Sequence, residues 1–422
     1  MNRAIYTFLF YLLSPVIWAY LLFRAIKAPE YRDGFRQRLG ILSQSIKGKG
    51  ILVHCASVGE TRAAAPLIKR LVQEFPDLSV TVSTTTPTGK KAVAELFGGK
   101  VQHVYLPIDW PGSVRRFLTA LEPQLVILME TELWLNLISE CGRRAIPVLL
   151  ANARLSDKSL NKYLKHQKLA RQLFSGVSYV AAQYQSDKDN FCRLGVNDSK
   201  VGCVGSIKFD IEITPQLLDA HRLLKQQWAE NRPVWIAASI HPAEFDWVLK
   251  AHRQLLESFP DLLLIGVPRH PEKFVDFKSA CDKHNLPYIS RSNKEPTHLK
   301  TRVIVGDTMG EMMLFCGVAN IAYVGGSLIE RGGHNPLEPL ACGVPVVMGP
   351  HFYNFSDICQ LLIQQDLLAV VENEQQLAIV IEGALADQST ARIKAEKSES
   401  FMQQNRGCVD RLVTLSHQLI TR

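Results

Sequence analysis

Continuous apolar runs rich in Val, Ile and Leu fall at 51–54, 79–83, 103–106, 125–129, 148–151 and 179–182. A second set follows at 234–238, 262–267, 301–305, 321–324, 344–348 and 368–371. Runs of this kind, without polar alternation, suit parallel strands covered on both faces. Longer stretches with helical spacing separate them, and strands that alternate with helices imply βαβ units. A polar stretch at 210–233, with one predicted helix, divides the two sets. The pattern predicts an α/β protein of two Rossmann-like, doubly wound domains facing a cleft, with ligands at the carboxyl ends of the strands.

The first apolar segment has a different character. No charged residue occurs between Ala4 and Phe23, whereas Arg24, Lys27, Arg32, Arg36 and Arg38 follow closely. Read as one helix, twenty such residues would span ~30 Å, about the thickness of a bilayer's hydrocarbon core. The excess of positive charge on the C-terminal side predicts that the remainder faces the cytoplasm. A cleaved signal peptide fits poorly, because the run is long, aromatic-rich and lacks a small-residue cleavage site. Pro15 introduces a possible kink and, with it, a shallow monotopic anchor as the alternative to a span.

Composition narrows the picture. A chain of 422 residues is long enough for two domains. The net charge of +8 favours anionic partners, but Lys and Arg are scattered and no nucleic-acid motif is present. Nine cysteines, an odd number without a C-x-x-C pair, read as reduced cytoplasmic thiols rather than disulfides or a zinc site.

Six constellations at predicted strand ends carry candidate chemistry. After the first strand comes His54-Cys55-Ala56-Ser57-Val58-Gly59-Glu60, where Glu60 either complements a helix dipole or serves as a general base. Met129-Glu130-Thr131-Glu132-Leu133-Trp134 closes the fourth strand with two acids, one of them a possible N-cap. Gly205-Ser206-Ile207-Lys208-Phe209-Asp210 ends the first half, and Lys208 there is either a solvated charge or a contact to phosphate or carboxylate. Val267-Pro268-Arg269-His270-Pro271 holds an arginine between rigid prolines, suited to phosphate or base recognition or else to a salt bridge. Gly306-Asp307-Thr308-Met309-Gly310-Glu311 is a small-residue turn. The glycine-rich run from Gly325 to Gly333 leads into His334-Asn335-Pro336-Leu337-Glu338, where Asn335 is expected as N-cap, Pro336 as first helical residue, and Glu338 as a ligand of ribose hydroxyls. Asp187-Lys188-Asp189 formally matches a D-x-D metal motif, but first-turn acids of a helix explain it.

These co-ordered motifs, with Asn152-Ala153-Arg154-Leu155-Ser156, resemble the family of 3-deoxy-D-manno-octulosonic acid (Kdo) transferases along nearly the whole chain. The resemblance implies a GT-B fold and an inverting glycosyltransferase of lipopolysaccharide biosynthesis. Its donor would be CMP-Kdo. Its acceptor would be the tetra-acylated lipid A precursor, lipid IVA, which would receive two Kdo residues in succession with release of CMP. It also implies Glu60 as proton acceptor, Glu130 and Lys208 as transition-state stabilisers, and CMP contacts from Pro268, Arg269, Met309, Gly310, Glu311, Asn335, Pro336, Leu337 and Glu338. No metal or other cofactor is expected, since helix dipole, Lys and Arg suffice for a single leaving phosphate. Departures are few: Leu135 stands where proline is expected, and Ile207 and Ile240 replace commoner residues.

The expected organisation is an anchor at 1–28, an acceptor-binding domain at 29–210 and a CMP-sugar-binding domain at 211–422, held at the cytoplasmic face of a bacterial inner membrane. The competing readings are a UDP-sugar transferase or epimerase on the same scaffold, and a membrane-tethered nucleotide-sugar-binding protein without catalysis.

Overall fold

The computed structural model describes residues 3–229 and 232–421. They form two α/β units, one comprising Met1–Asp210 with Asn405–Arg422 and the other Ile211–Gln404. In the first unit the strands are β1 (Ile51–His54), β2 (Val80–Thr84), β3 (Gln102–Tyr105), β4 (Leu125–Met129), β5 (Val148–Ala153), β6 (Tyr179–Ala182) and β7 (Val201–Cys203). All pair in parallel, in the order β3-β2-β1-β4-β5-β6-β7. The second unit has β8 (Val234–Ile240), β9 (Leu263–Pro268), β10 (Tyr288–Ser290), β11 (Val303–Val305), β12 (Ile321–Val324), β13 (Val346–Met348) and β14 (Leu368–Val370). These are also parallel, in the order β10-β11-β9-β8-β12-β13-β14.

Each apolar run of the sequence contains a strand. β1, β4 and β9 are buried along their whole length, which is why they carry no polar alternation. Two core clusters cover the two faces of each sheet. Leu52, Phe117, Leu128 and Leu150 lie on one side of the first sheet, and Val53, Leu67, Ile127 and Leu149 on the other. In the second sheet Trp235, Leu264 and Tyr323 oppose Ile236, Ile265 and Phe315. β7 and β10 were not expected. Each is three residues long at a sheet edge, too short and too weakly apolar to stand out.

The N-terminal segment is not the single helix predicted for residues 4–23. It forms two helices, Arg3–Leu12 and Ser14–Lys27, bent by 48°. Pro15 has no N–H to offer the preceding turn, and the Ser14 hydroxyl donates to the Phe10 carbonyl at 3.2 Å. At 1.5 Å per residue they measure roughly 15 and 21 Å, so neither alone covers a ~30 Å core. No single helix is long and apolar enough to cross a membrane among the described residues, although the bent pair together has the required length and composition. One side of the pair is fastened to the first unit. The Tyr6 hydroxyl donates to buried Asp109 at 2.9 Å, Arg3 Nε donates to Asn136 Oδ1 at 2.9 Å, and Tyr11 stacks on Trp110. The other side leaves Phe8, Leu12, Val16 and Ile26 more than 60% exposed.

The reading of 211–422 as one domain also changes. The helix Cys408–Ile420 belongs with the first unit, where Leu412 and Cys408 join the core beside the helix Val58–Glu74. Asp210 holds its start, accepting from Gly407 N at 2.6 Å and Val409 N at 2.5 Å. A carboxylate that accepts two first-turn N–H groups is a strong cap. Replacing it by alanine is expected to destabilise the first unit by about 1–2 kcal/mol, read as a lower urea midpoint, with Asp210→Asn falling between the two.

Candidate functional site

In the first unit the strand order reverses direction between β1 and β4, which lie side by side with His54 level with Leu128. Such a switch point opens a crevice at the carboxyl ends of its strands. β1 leads into the helix Val58–Glu74, capped by Ser57, whose hydroxyl oxygen accepts from Glu60 N at 3.2 Å. Glu60 reciprocates. Its Oε2 accepts from Ala56 N at 2.8 Å and its Oε1 from the Ser57 hydroxyl at 3.1 Å. The cap is thus reciprocated from inside the helix, through Ala56 N–H and the Ser57 hydroxyl.

β4 hands over to Glu130, whose φ of +54° lies in the left-handed region and whose N–H donates to Ala151 O at 2.8 Å. A non-glycine residue there costs about 1–3 kcal/mol, a strain that marks functional turns. Glu132 follows. The pKa of Glu60 is raised to about 7, with burial as the largest influence. The charges of Glu132 and Glu130 act in the same direction, while the bonds from Ala56 and Ser57 oppose the shift. Glu132 is also pushed up, first by burial and then by the charge of Glu130.

The turn Ile207–Phe209, which carries Lys208, packs against the Glu60 helix. Asn152 pins it, with Oδ1 accepting from Ile207 N at 3.2 Å from a backbone at φ +53°. Glu60, Glu130 and Lys208 therefore sit on neighbouring elements of one unit. The sequence reading quoted His54, Asn152 and Ser206 within its motifs but gave them no role; all three are buried at this end of the sheet. His54 Nε2, Asn152 Nδ2 and the Ser206 hydroxyl have no hydrogen-bond partner among the described residues. Burial lowers the His54 pKa to about 4, so its 3.9 Å approach to Glu132 is a contact with a neutral ring near pH 7, not an ion pair. A polar residue ending an otherwise apolar strand was the available signal for His54.

Asp187 of the D-x-D triplet is buried and accepts from Leu155 N at 2.7 Å and Tyr184 N at 3.2 Å. It holds a helix start and its neighbouring loop. No group of three or more His, Cys, Asp or Glu side chains arranged to hold a metal occurs among the described residues.

In the second unit the order reverses between β8 and β12. Buried Glu244, in the first turn of the helix Pro242–Ser258, organises the loops there. Its carboxylate accepts from His241 N at 2.9 Å, Gly326 N at 2.8 Å and the Tyr323 hydroxyl at 2.6 Å. Gly325 has no alternative, because a Cβ would lie 2.7 Å from the Ile240 Cα. Arg269 follows β9 and donates its N–H to Ile240 O at 2.9 Å. His241 and His334 meet Nε2 to Nε2 at 2.9 Å, with the His270 ring edge-on to His241 at 5.6 Å. Burial, then the Arg269 charge, brings the His334 pKa down to about 4.

The helix expected to start at Pro336 begins at Leu337 and is only five residues long, so its dipole contributes little. Asn335 still accepts from Leu337 N at 3.1 Å and donates to Glu338 Oε1 at 3.4 Å. Burial raises the pKa of Glu338, opposed by the Asn335 bond and the charge of Arg269. Arg269, Asn335 and Glu338 thus form one group. Met309 is exposed and Gly310 has φ +81°. Glu311 is engaged by Arg291 through two bonds at 3.0 and 2.8 Å and by the Thr308 hydroxyl, which hold its pKa down. His241 and Glu244 were not singled out from the sequence, since a histidine and an acid opening a helix look like any cap.

Two parallel α/β units with polar turns at their switch points make a GT-B-like fold. Solved structures agree at the level of fold. UDP-GlcNAc 2-epimerase from Neisseria meningitidis bound to UDP-GlcNAc is 13% identical and has a TM-score of 0.58, covering 88% of this chain and 100% of that one. A glycosyltransferase from Rickettsia africae ESF-5 is also 13% identical, with a TM-score of 0.54 over 88% of this chain and 99% of its own. The profile of the 3-deoxy-D-manno-octulosonic-acid transferase (kdotransferase) family matches residues 33–211. The curated Kdo transferase of Haemophilus influenzae is 40% identical over 100% of both chains, and that of Bordetella pertussis 34% identical over 85% of each. The chain belongs to the Kdo transferase family and is a glycosyltransferase.

Glu244→Ala would leave the His241 and Gly326 N–H groups and the Tyr323 hydroxyl without their acceptor. Each orphan costs about 1–3 kcal/mol, so the second unit should unfold at a markedly lower urea concentration. Tyr323→Phe, which removes one donor only, should cost about 1 kcal/mol by the same measurement.

Proposed function

We propose that the enzyme transfers Kdo from CMP-Kdo to the tetra-acylated lipid A precursor, lipid IVA, two residues in succession, with inversion and release of CMP. The observation that carries this reading is the Glu60 carboxyl group: held by its own turn, raised to a pKa of about 7 and set at the switch point of the first sheet. A base poised near the working pH accepts a proton most effectively. Glu60 takes the proton of the acceptor hydroxyl as its oxygen bonds to the anomeric carbon. The bond from that carbon to the CMP phosphate oxygen breaks, and its electron pair leaves with CMP. Glu130 stabilises the positive charge that develops on the sugar, and Lys208 the negative charge on the leaving phosphate.

In this reading the unit carrying Glu60 binds the acceptor, and the second unit binds CMP. Pro268 and Arg269 lie against the phosphate and base. Met309, Gly310 and Glu311 supply a turn in which Glu311 is oriented by Arg291. Asn335, Pro336, Leu337 and Glu338 hold the ribose, with the Glu338 carboxylate accepting from its hydroxyls. Lys208 and Arg269 neutralise the single phosphate of the leaving group, and the reading calls for no metal. The exposed apolar side of the two N-terminal helices, followed by Arg24, Lys27, Arg32 and Arg36, supports attachment to the cytoplasmic face of the inner membrane.

Incubation with CMP-Kdo and the tetra-acylated lipid A precursor should give stepwise addition of Kdo by mass spectrometry, and none with Glu60→Ala. CMP binding by that variant should be unchanged. An unmodified lipid beside intact CMP binding would refute the acceptor assignment.

Because only the ionised base is active, kcat/KM should fall about tenfold per pH unit below pH ~7. The sign for stability is opposite. The folded pKa lies above the unfolded value, so the stability Glu60 confers when protonated is lost as pH rises from about 4.5 to about 7. Glu60→Gln should therefore melt higher than wild type at pH 8, with the gap closing at pH 5.

Arg269→Ala should weaken CMP binding about tenfold or more by calorimetry, the loss expected for a charge-assisted contact to phosphate.

A further inference from the structure

The segment following β5 carries chemistry that the transfer reaction leaves unused. Between Arg154 and Ser175 the chain holds six Lys and Arg residues against one acid, Asp157. It forms two short helices, Asp157–Leu164 and Gln167–Ser175, the first capped by Ser156. Lys158, Lys162, Lys165, Lys168 and Arg171 are all exposed, and none takes part in an ion pair among the described residues. Asp157 faces elsewhere, toward Asn190 at 3.0 Å and Arg193 at 3.8 Å. Lys158, Lys162 and Lys165 follow the i, i+4, i+7 spacing of one helical face.

Between the helices lies a pocket of about 320 Å³, with Tyr163, Leu169, Ala170 and Leu173 in its wall and Lys162 and His166 among its lining residues. A largely apolar cavity with Lys162 in its lining and Lys158 and Lys165 on the same helical face is complementary to an acyl chain carrying a phosphate.

Two observations tie the pocket to the reacting end of the sheet. Tyr163, Leu164 and Leu169 pack against the same core cluster as Leu133 and Trp134, which directly follow Glu132. The loop entering the hairpin is bound to the loop after β4, with the Thr131 hydroxyl donating to Arg154 O at 3.0 Å. The N-terminal apolar helices begin alongside, where Arg3 N donates to Gln172 Oε1 at 3.1 Å.

We propose that this hairpin is the docking site of the acceptor lipid: one acyl chain fills the pocket, its phosphate lies on Lys158, Lys162 and Lys165, and its sugar is directed toward the carboxylates that follow β1 and β4. The assignment rests on the lipid-acceptor reading above and specifies where the acceptor binds. A bilayer surface alone would use the lysines but would leave the pocket without a role.

The test uses the full-length protein in detergent with CMP-Kdo and two acceptors, the tetra-acylated lipid A precursor and its deacylated form. Leu169→Asp places a charge at the half-buried wall, and the KM for CMP-Kdo checks that the fold survives the loss of its packing against the core cluster. It should raise KM for the acylated acceptor at least tenfold and leave KM for the deacylated acceptor and for CMP-Kdo unchanged. The triple variant Lys158→Glu, Lys162→Glu, Lys165→Glu should raise KM for both phosphorylated acceptors, and a dephosphorylated acceptor should be insensitive to it. An unchanged acylated-acceptor KM in Leu169→Asp overturns the pocket. If the triple variant loses binding to phosphatidylglycerol vesicles but keeps its detergent KM, the lysines serve a membrane surface and the proposal fails. A photoreactive acyl analogue of the precursor supplies a readout that needs no turnover. Crosslinking to Tyr163 or Leu169 supports the site even if no Kdo is transferred, which would refute the reaction alone, and crosslinking elsewhere refutes the site.

Discussion

The carboxylate of Glu60 is bound twice by the turn to which it belongs, once by Ala56 N–H and once by the Ser57 hydroxyl. Those bonds stabilise the start of the helix and fix the side chain over the end of β1. They also oppose the rise in proton affinity that burial and two nearby acids impose. A more thoroughly bound carboxylate would be a weaker base, and an unbound one would lose both its position and its charge near neutral pH. The site depends on this balance, which the first turn of a helix supplies without any distant partner.

The second unit uses the same location differently. Glu244 also sits in the first turn of a helix that follows the strand at the switch point, but it is fully buried and accepts from a histidine N–H, a glycine N–H and a tyrosine hydroxyl. A carboxylate so committed serves as a fastener for the loops around it. What it fastens is the approach of Gly325 and Gly326 to β8, and so the place of His334 and Asn335. One unit leaves its acid half-buried, and the other commits its acid to backbone geometry.

Strands buried on both faces leave an apolar signature that survives without any partner information, and so the parallel sheets were legible from the sequence. β7 and β10 escaped because edge strands of three residues need little apolar surface. Glu60, Glu130, Lys208 and Arg269 could be picked out because each ends or follows an apolar run. The bend at Pro15 was legible as an alternative, whereas the five-residue helix at Leu337 and the return of the last helix were not. Those two depend on contacts with residues far along the chain, or on how many helical turns a loop tolerates. His54 and Glu244 were hidden for a related reason, since their environment is set by Ser83, Glu132, Tyr323 and Gly326, not by their sequence neighbours.

The cap that Asp210 provides for the helix Cys408–Ile420 makes the second unit an insertion within the first. Synthesis from the N-terminus therefore delivers the whole of Ile211–Gln404 before the helix that completes the first core. The inserted unit has all its strands in hand and can form as it emerges, whereas the first must wait with the surface meant for Leu412 uncovered. The part of the enzyme made first is the last to become complete, and a chain cut short anywhere before residue 408 would leave that core open.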